Sequence, residues 1–202
     1  FPDMVYNQLY MEYQLPEGTN STRVVHDLRD IETYLKSRKE ITHVTTSVGG
    51  TPGRYNLVRS IANPSLSYGE LIIDFTSPEE LVDNMDEIQS YLSQAYPDAY
   101  VNLKRYNLMF KKYPIEAQFM GPDPAVLHRL ADSARHIMEN TPEVRLVTTD
   151  WEPQVPVLTI EYDQPAARAL GLSRNDVSLS LLTATGGIPI GSFYEGIHAN
   201  TI

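Results

Sequence analysis

From Val5 to Leu15 the chain alternates: Val5, Leu9, Met11, Tyr13 and Leu15 share one parity, and Tyr6, Gln8, Tyr10, Glu12 and Gln14 the other. A period of two marks a half-buried strand, and Pro16 and Gly18 end it. Thr19 or Asn20 can cap a following helix. Its Val24, Val25, Leu28, Ile31 and Leu35 form one apolar stripe, and it runs to about Lys39. A second strand, Ile41 to Val48, sets Val44, Thr46 and Val48 against His43, Thr45 and Ser47. Gly49-Gly50-Thr51-Pro52-Gly53 then opens a connection that lasts to about Tyr68, a length that marks a functional or mobile loop. The third strand, Glu70 to Phe75, points Leu71, Ile73 and Phe75 one way and Glu70, Ile72 and Asp74 the other. Ser77-Pro78-Glu79-Glu80 carries the cap, first-turn proline and capping-box glutamate of a helix start. That helix aligns Leu81, Met85, Ile88 and Leu92. The fourth strand, Ala99 to about Leu108, has Val101 and Leu103 opposed to Asn102, Lys104 and Tyr106.

The order strand, helix, strand, strand, helix, strand is a repeated βαβ unit. It predicts an α+β, ferredoxin-like sandwich with both helices on one face of a four-stranded antiparallel sheet. The strand residues of the other parity then form one surface: Tyr6, Tyr10, Glu12, His43, Thr45, Ser47, Ile72, Asp74, Asn102, Lys104 and Tyr106. Nothing within the module is expected to cover it.

After Tyr113-Pro114 the pattern restarts. Ile115 to Met120 reads as a strand, and Asp123-Pro124 caps a helix with Val126, Leu127, Leu130, Ala134, Ile137 and Met138 inward. Glu143 to Thr149 and Val155 to Tyr162 read as further strands, joined across Asp150-Trp151-Glu152-Pro153. Val44-Thr45-Thr46 and Val147-Thr148-Thr149 echo one another at matching places, as a duplicated unit predicts. The second unit lacks its second helix-strand half. Instead come a short helix from Asp163 closed by Gly171, a helix capped by Ser173, the run Gly186-Gly187-Ile188-Pro189-Ile190-Gly191, and the start of another strand towards Ile202.

Composition narrows the function. In 202 residues no apolar run approaches the roughly 20 that a membrane-spanning helix needs. A net charge of −10, with scattered Lys and Arg, argues against nucleic acid. The absence of cysteine excludes disulfides, thiolate catalysis and thiolate zinc sites. Catalysis has little support: His43 and Ser47 share a strand face, but residues i and i+4 on a strand lie roughly 13 Å apart. Glu12 and Asp74 could meet on neighbouring strands as a carboxylate pair, for which a wet surface pair is the ordinary reading. Gly49-Gly50 opens no helix and so makes no phosphate loop. No cofactor is expected. His128 and His136 are two helical turns apart, too far to chelate together, and read as solvated.

The run Asp163 to Gly191, with its Leu-Gly-Leu-Ser turn, Asn-Asp-Val helix start and Gly-Gly-Ile-Pro-Ile-Gly exit, resembles the lead into the docking subdomain of resistance-nodulation-division (RND) efflux transporters. Phe1-Pro2 resembles the exit from a transmembrane helix, Leu15-Pro16-Glu17-Gly18-Thr19 the turn after the first porter strand, and Gly121-Pro122-Asp123 the turn before the second module's helix. The likeness runs through essentially the whole chain. It implies tandem ferredoxin-like porter modules of the second periplasmic loop: residues 1–112 as a complete first porter subdomain, 113–163 as the first half of the next, and 164–202 as the beginning of the docking subdomain. It further implies a non-enzymatic, periplasmic part of a proton-driven, trimeric inner-membrane pump that exports small amphiphilic compounds with a periplasmic adaptor and an outer-membrane channel.

By the same resemblance Tyr10, Glu12, Thr45, Ser47, Ile72, Asn102, Lys104 and Tyr106 line the substrate cleft. Multidrug members tend to carry phenylalanines just after the second strand, where this chain has Gly49, Gly50, Thr51 and Pro52, with Tyr55 the nearest aromatic. That departure implies a smaller or more polar cargo. The metal-exporting branch places methionines in the cleft as soft ligands for Cu(I) or Ag(I). Here Met11 lies on core parity, Met85 and Met138 on inward stripes, and Met4, Met109 and Met120 are free but not obviously convergent. No metal ligand is expected among them. The alternatives are therefore a copper or silver exporter and a free-standing ferredoxin-like binding or regulatory protein.

Overall fold

The computed structural model describes residues 3–53, 61–108, 113–151 and 155–202. Phe1, Pro2, Tyr55 and Met109, which bear on the expectations above, lie outside them. The chain divides into two compact units, Phe1–Val155 and Pro156–Ile202.

The first unit opens with β1 (Gln8–Gln14), α1 (Ser21–Lys36), β2 (Ile41–Val48), β3 (Tyr68–Phe75), α2 (Pro78–Ala95) and β4 (Tyr100–Lys104). All neighbours in the sheet are antiparallel, in the order β2-β3-β1-β4, as a ferredoxin-like repeat requires. Helix starts follow local chemistry: Asn20 accepts from Thr22 N, and Ser77 from Glu80 N with Pro78 in the first turn. Leu9, Met11, Tyr13 and Leu15 meet Val24, Leu28, Ile31 and Leu35 of α1, Leu81, Ile88 and Leu92 of α2, and Val44, Leu71, Ile73, Phe75, Val101 and Leu103 in one core. The expected parity therefore holds on the helix side for β1, β3 and β4, and for Val44 of β2, whereas Val48 at the end of β2 is exposed.

One polar pair sits inside this layer. The Tyr13 hydroxyl, fully buried, donates to Asp27 of α1 at 2.6 Å. Burial, followed by the hydrogen bond and charge of Asp27, pushes the phenol well above its ordinary pKa, so it stays a donor. Tyr13→Phe is expected to cost about 1 kcal/mol, measured by urea denaturation; an unchanged midpoint would show that the Asp27 carboxylate is satisfied without it.

Beyond β4 the structure departs from the alternation pattern. α3 (Pro124–Glu139) forms with Asp123 accepting from Ala125 N and Val126 N, but none of its residues is buried. The strands expected at 115–120, 143–149 and 155–162 are not formed. A strand exists only as half of a ladder, and among the described residues nothing pairs with these segments, so apolar positions such as Val157 and Leu158 stay exposed.

In the second unit α4 (Gln164–Ala169) ends at Gly171, which takes the left-handed conformation with φ 70° and lets Leu172 N reach Ala167 O at 2.9 Å. α5 (Arg174–Thr185) starts with a closed capping box between Ser173 and Asp176. A hairpin of β5 (Ser192–Glu195) and β6 (His198–Thr201) follows, where only the start of a strand was expected. Among the described residues no helix is long and apolar enough to cross a membrane.

Candidate functional site

The face of the sheet turned away from the helices carries the candidate residues, and register decides which of them meet. Thr45 pairs with Ile72, Ile72 with Tyr10, and Tyr10 with Lys104, forming one row across all four strands. Ser47, Glu70, Glu12 and Asn102 form the next row. All the sequence-predicted residues except Tyr106 stand in these two rows. β4 ends at Lys104, so Tyr106 lies past the strand, where its carbonyl accepts from Met4 N at 2.9 Å. Its ring packs on Tyr10 at 5.4 Å between centroids and edge-on to Tyr6 at 5.8 Å, and its hydroxyl donates to Gln8.

This face is not bare, contrary to the expectation from alternation. Tyr10 is 7% exposed, Ile72 8%, Glu12 9% and Tyr106 1%. Part of the cover comes from the face itself, where Tyr6, Tyr10 and Tyr106 pack their rings and Lys104 reaches Glu12. Thr45 remains exposed, and Ser47, Asn102 and Lys104 are half-buried. Ser47 donates to Gly50 O at 2.8 Å and Asn102 to the Tyr100 hydroxyl at 2.8 Å. Burial, then the nearby Glu12, raises the Tyr100 phenol above its ordinary pKa.

The electrostatic centre is a pair that alternation did not identify. Glu70 is fully buried, directly opposite Glu12. It accepts from the Tyr68 hydroxyl at 2.9 Å and from Thr51 at 3.1 Å, and Thr51 in turn accepts from Ala62 N. Lys104 Nζ meets Glu12 at 2.7 Å. The contemplated Glu12–Asp74 pair does not form, because the antiparallel register places Asp74 opposite Gln8, whose side chain donates to it at 2.6 Å. Glu70 shares the parity of Ile72 and Asp74, which already places it on this face; its position opposite Glu12 is what needed the register.

Other candidates do not converge. Met11 lies in the core and Met120 is exposed. His128 packs its ring on Trp151, while His136 accompanies Asn140. Among the described residues no group of three or more His, Asp or Glu could hold a metal ion. Among the described residues the face offers the Glu12 and Glu70 carboxylates, the Lys104 ammonium and a bank of tyrosine rings. That set recognises charge and aromatic or apolar surface.

A ferredoxin-like module with two helices below and a charged, tyrosine-rich face above is the fold of a porter segment of an RND efflux transporter. The chain belongs to the AcrB/AcrD/AcrF family, whose model matches residues 1–202. It is 23% identical over 191 residues to the cobalt-zinc-cadmium resistance protein CzcA of Cupriavidus metallidurans, covering 89% of this chain and 18% of that protein. The cation efflux system protein CzcA of an Alcaligenes species matches to the same extent. Two crystal forms of a heavy metal efflux pump share the fold, with TM-scores of 0.69 and 0.63 at 18% identity, covering 99% and 97% of this chain and 21% of that one. The chain thus spans about a fifth of the length of these relatives.

Proposed function

We propose that this chain is a cargo-handling segment of a proton-driven RND exporter, that its open sheet face is one wall of the cargo path, and that the cargo is a divalent metal cation. The observation that carries the cargo assignment is Glu12 standing opposite buried Glu70. Carboxylate oxygens ligate zinc and similar dications, whereas Cu(I) and Ag(I) prefer thioethers, and Met11 is committed to the core. The relatives named for cobalt, zinc and cadmium support the same reading. Two carboxylates are fewer donors than such an ion takes, so water or other parts of the exporter complete its shell. A second reading, export of small amphiphilic compounds, is favoured by the cluster of Tyr6, Tyr10 and Tyr106.

In this reading the protein is not an enzyme. Residues 1–112 are the first porter subdomain, 113–163 the opening half of the next, and 164–202 the beginning of a docking subdomain. The strands read at 115–120, 143–149 and 155–162 form when further polypeptide supplies their ladder partners. The intact pump is a homotrimer of the bacterial inner membrane, with this segment periplasmic, and works with an adaptor and an outer-membrane channel.

The test is growth of an efflux-deficient host expressing the full-length exporter, challenged with zinc, cobalt and cadmium salts and with a panel of amphiphilic compounds. Glu12→Gln and Glu70→Gln are expected to lower metal tolerance by roughly tenfold, the equivalent of about 1.4 kcal/mol of binding, with expression intact. Tyr10→Ala and Tyr106→Ala are expected to leave metal tolerance the less affected. Metal tolerance that does not depend on the exporter, with compound-selective changes in Tyr10→Ala and Tyr106→Ala, would replace the first reading by the second.

A further inference from the structure

Among the described residues β4 is an edge strand, with β1 on one side of it and no strand on the other. It is also the strand that brings Asn102 and Lys104 to the open face. An edge strand of five residues, laddered on one side only, is the part of a sheet whose register is most easily lost. A one-residue slip would turn Asn102 and Lys104 into the helix layer and Val101 and Leu103 out of it.

The outer edge of β4 is occupied from below. Gln89, buried on α2, donates from Nε2 to Val101 O at 2.9 Å and accepts at Oε1 from Leu103 N at 2.8 Å. Nε2 also donates to Ser93 Oγ at 2.9 Å, so the orientation of the amide is set by its partners. Val101 and Leu103 are the residues whose main-chain groups face away from β1, and a single primary amide bridges the carbonyl of one and the N–H of the next but one. A residue of a neighbouring parallel strand would make the same two bonds with its own N–H and C=O.

We infer that Gln89 is a positioning residue of the cargo face: its amide stands in for a missing strand and pins the register of β4, so that Lys104 stays against Glu12 and Asn102 beside it. The importance of that register to transport rests on the cargo-wall reading given above. The side chain acts from the opposite layer of the module and touches no cargo. Its role is to fix where the groups that do touch cargo stand.

Hydrogen exchange of the 202-residue chain tests the pin. In Gln89→Leu the Leu103 amide should exchange about tenfold faster or more, with other β4 amides following, while the β2–β3 ladder stays within roughly threefold of the wild type. Gln89→Glu retains an acceptor for Leu103 N and should restore protection there. Unchanged Leu103 protection in Gln89→Leu, or equal loss in both ladders, overturns the inference. In the full-length exporter Gln89→Leu should lower tolerance in parallel with Glu12→Gln. Faster Leu103 exchange with unaltered export overturns the positioning role if Glu12→Gln and Glu70→Gln still impair export. If those two are silent as well, the cargo-wall reading is what has failed.

Discussion

Gly69→Val is expected to destabilise the first module by about 3 kcal/mol or more, a fall in melting temperature of roughly 12–24 °C for a unit of this size. Gly69 is buried in β3, beneath α1. A Cβ placed there would come within 2.3 Å of Leu28 Cδ1, 3.3 Å of Val24 Cγ1 and 3.2 Å of the Ser47 carbonyl oxygen on the adjacent strand. The first of these is a side-chain tip, but Leu28 is fully buried in the core and has no free space to retreat into. The helix would have to lift, and with it the contacts of Val24, Leu28 and Ile31. The cause can be isolated with Gly69→Ala, Leu28→Ala and the double variant. Leu28→Ala opens the space that the new methyl needs, so the double variant should cost clearly less than the sum of the singles. Strict additivity would mean that α1 does not rest on Gly69.

This close approach shows where legibility ended. The six elements of the first module were readable because each carries its own period and its own stop: Pro16 and Gly18 after β1, Ser77-Pro78 before α2, strict alternation through Val101 and Leu103. Alternation also named the helix-facing side of the sheet, where most apolar positions of one parity collect, although Val5 and Val48 stay exposed. It could not say how near α1 lies to Gly69, since helix distance depends on the facing pair and not on a period. Nor could it foresee that Tyr10, Ile72 and Tyr106 would be buried, because parity assigns a side chain to a face and says nothing about its neighbours there. Parity alone places Glu70 on the same face as Ile72, but its partner on β1 follows from the pairing of Gln14 with Tyr68 at the end of the ladder, a long-range fact. The second βαβ pattern shows the opposite error. Its apolar periods resemble those of the first, yet α3 leaves Val126, Leu130 and Ile137 exposed. A period describes what a segment could bury, and burial also needs a partner surface.

Lys104→Met is expected to cost about 3 kcal/mol, near the lower end for breaking a buried ion pair, since the side chains of Lys104 and Glu12 remain 17% and 12% exposed. The loss comes less from the missing attraction than from what is left behind. Glu12 would face Glu70 across the β1–β3 pair with the ammonium gone, two carboxylates in a poorly hydrated place. Glu12 loses its ion-pair partner, while Glu70 keeps the hydroxyls of Tyr68 and Thr51. Adding Glu12→Gln should therefore recover most of the stability, because a neutral amide needs no counter-charge. Chemical denaturation of the two single variants and the double gives the coupling directly. A Lys104→Met cost within about 0.5 kcal/mol, the scale of exposed pairs, would make this an ordinary surface bridge. A large cost rescued by Glu12→Gln means instead that the face holds a charge balance. On the proposed cargo-wall reading, a cation arriving at Glu12 would compete there with Lys104.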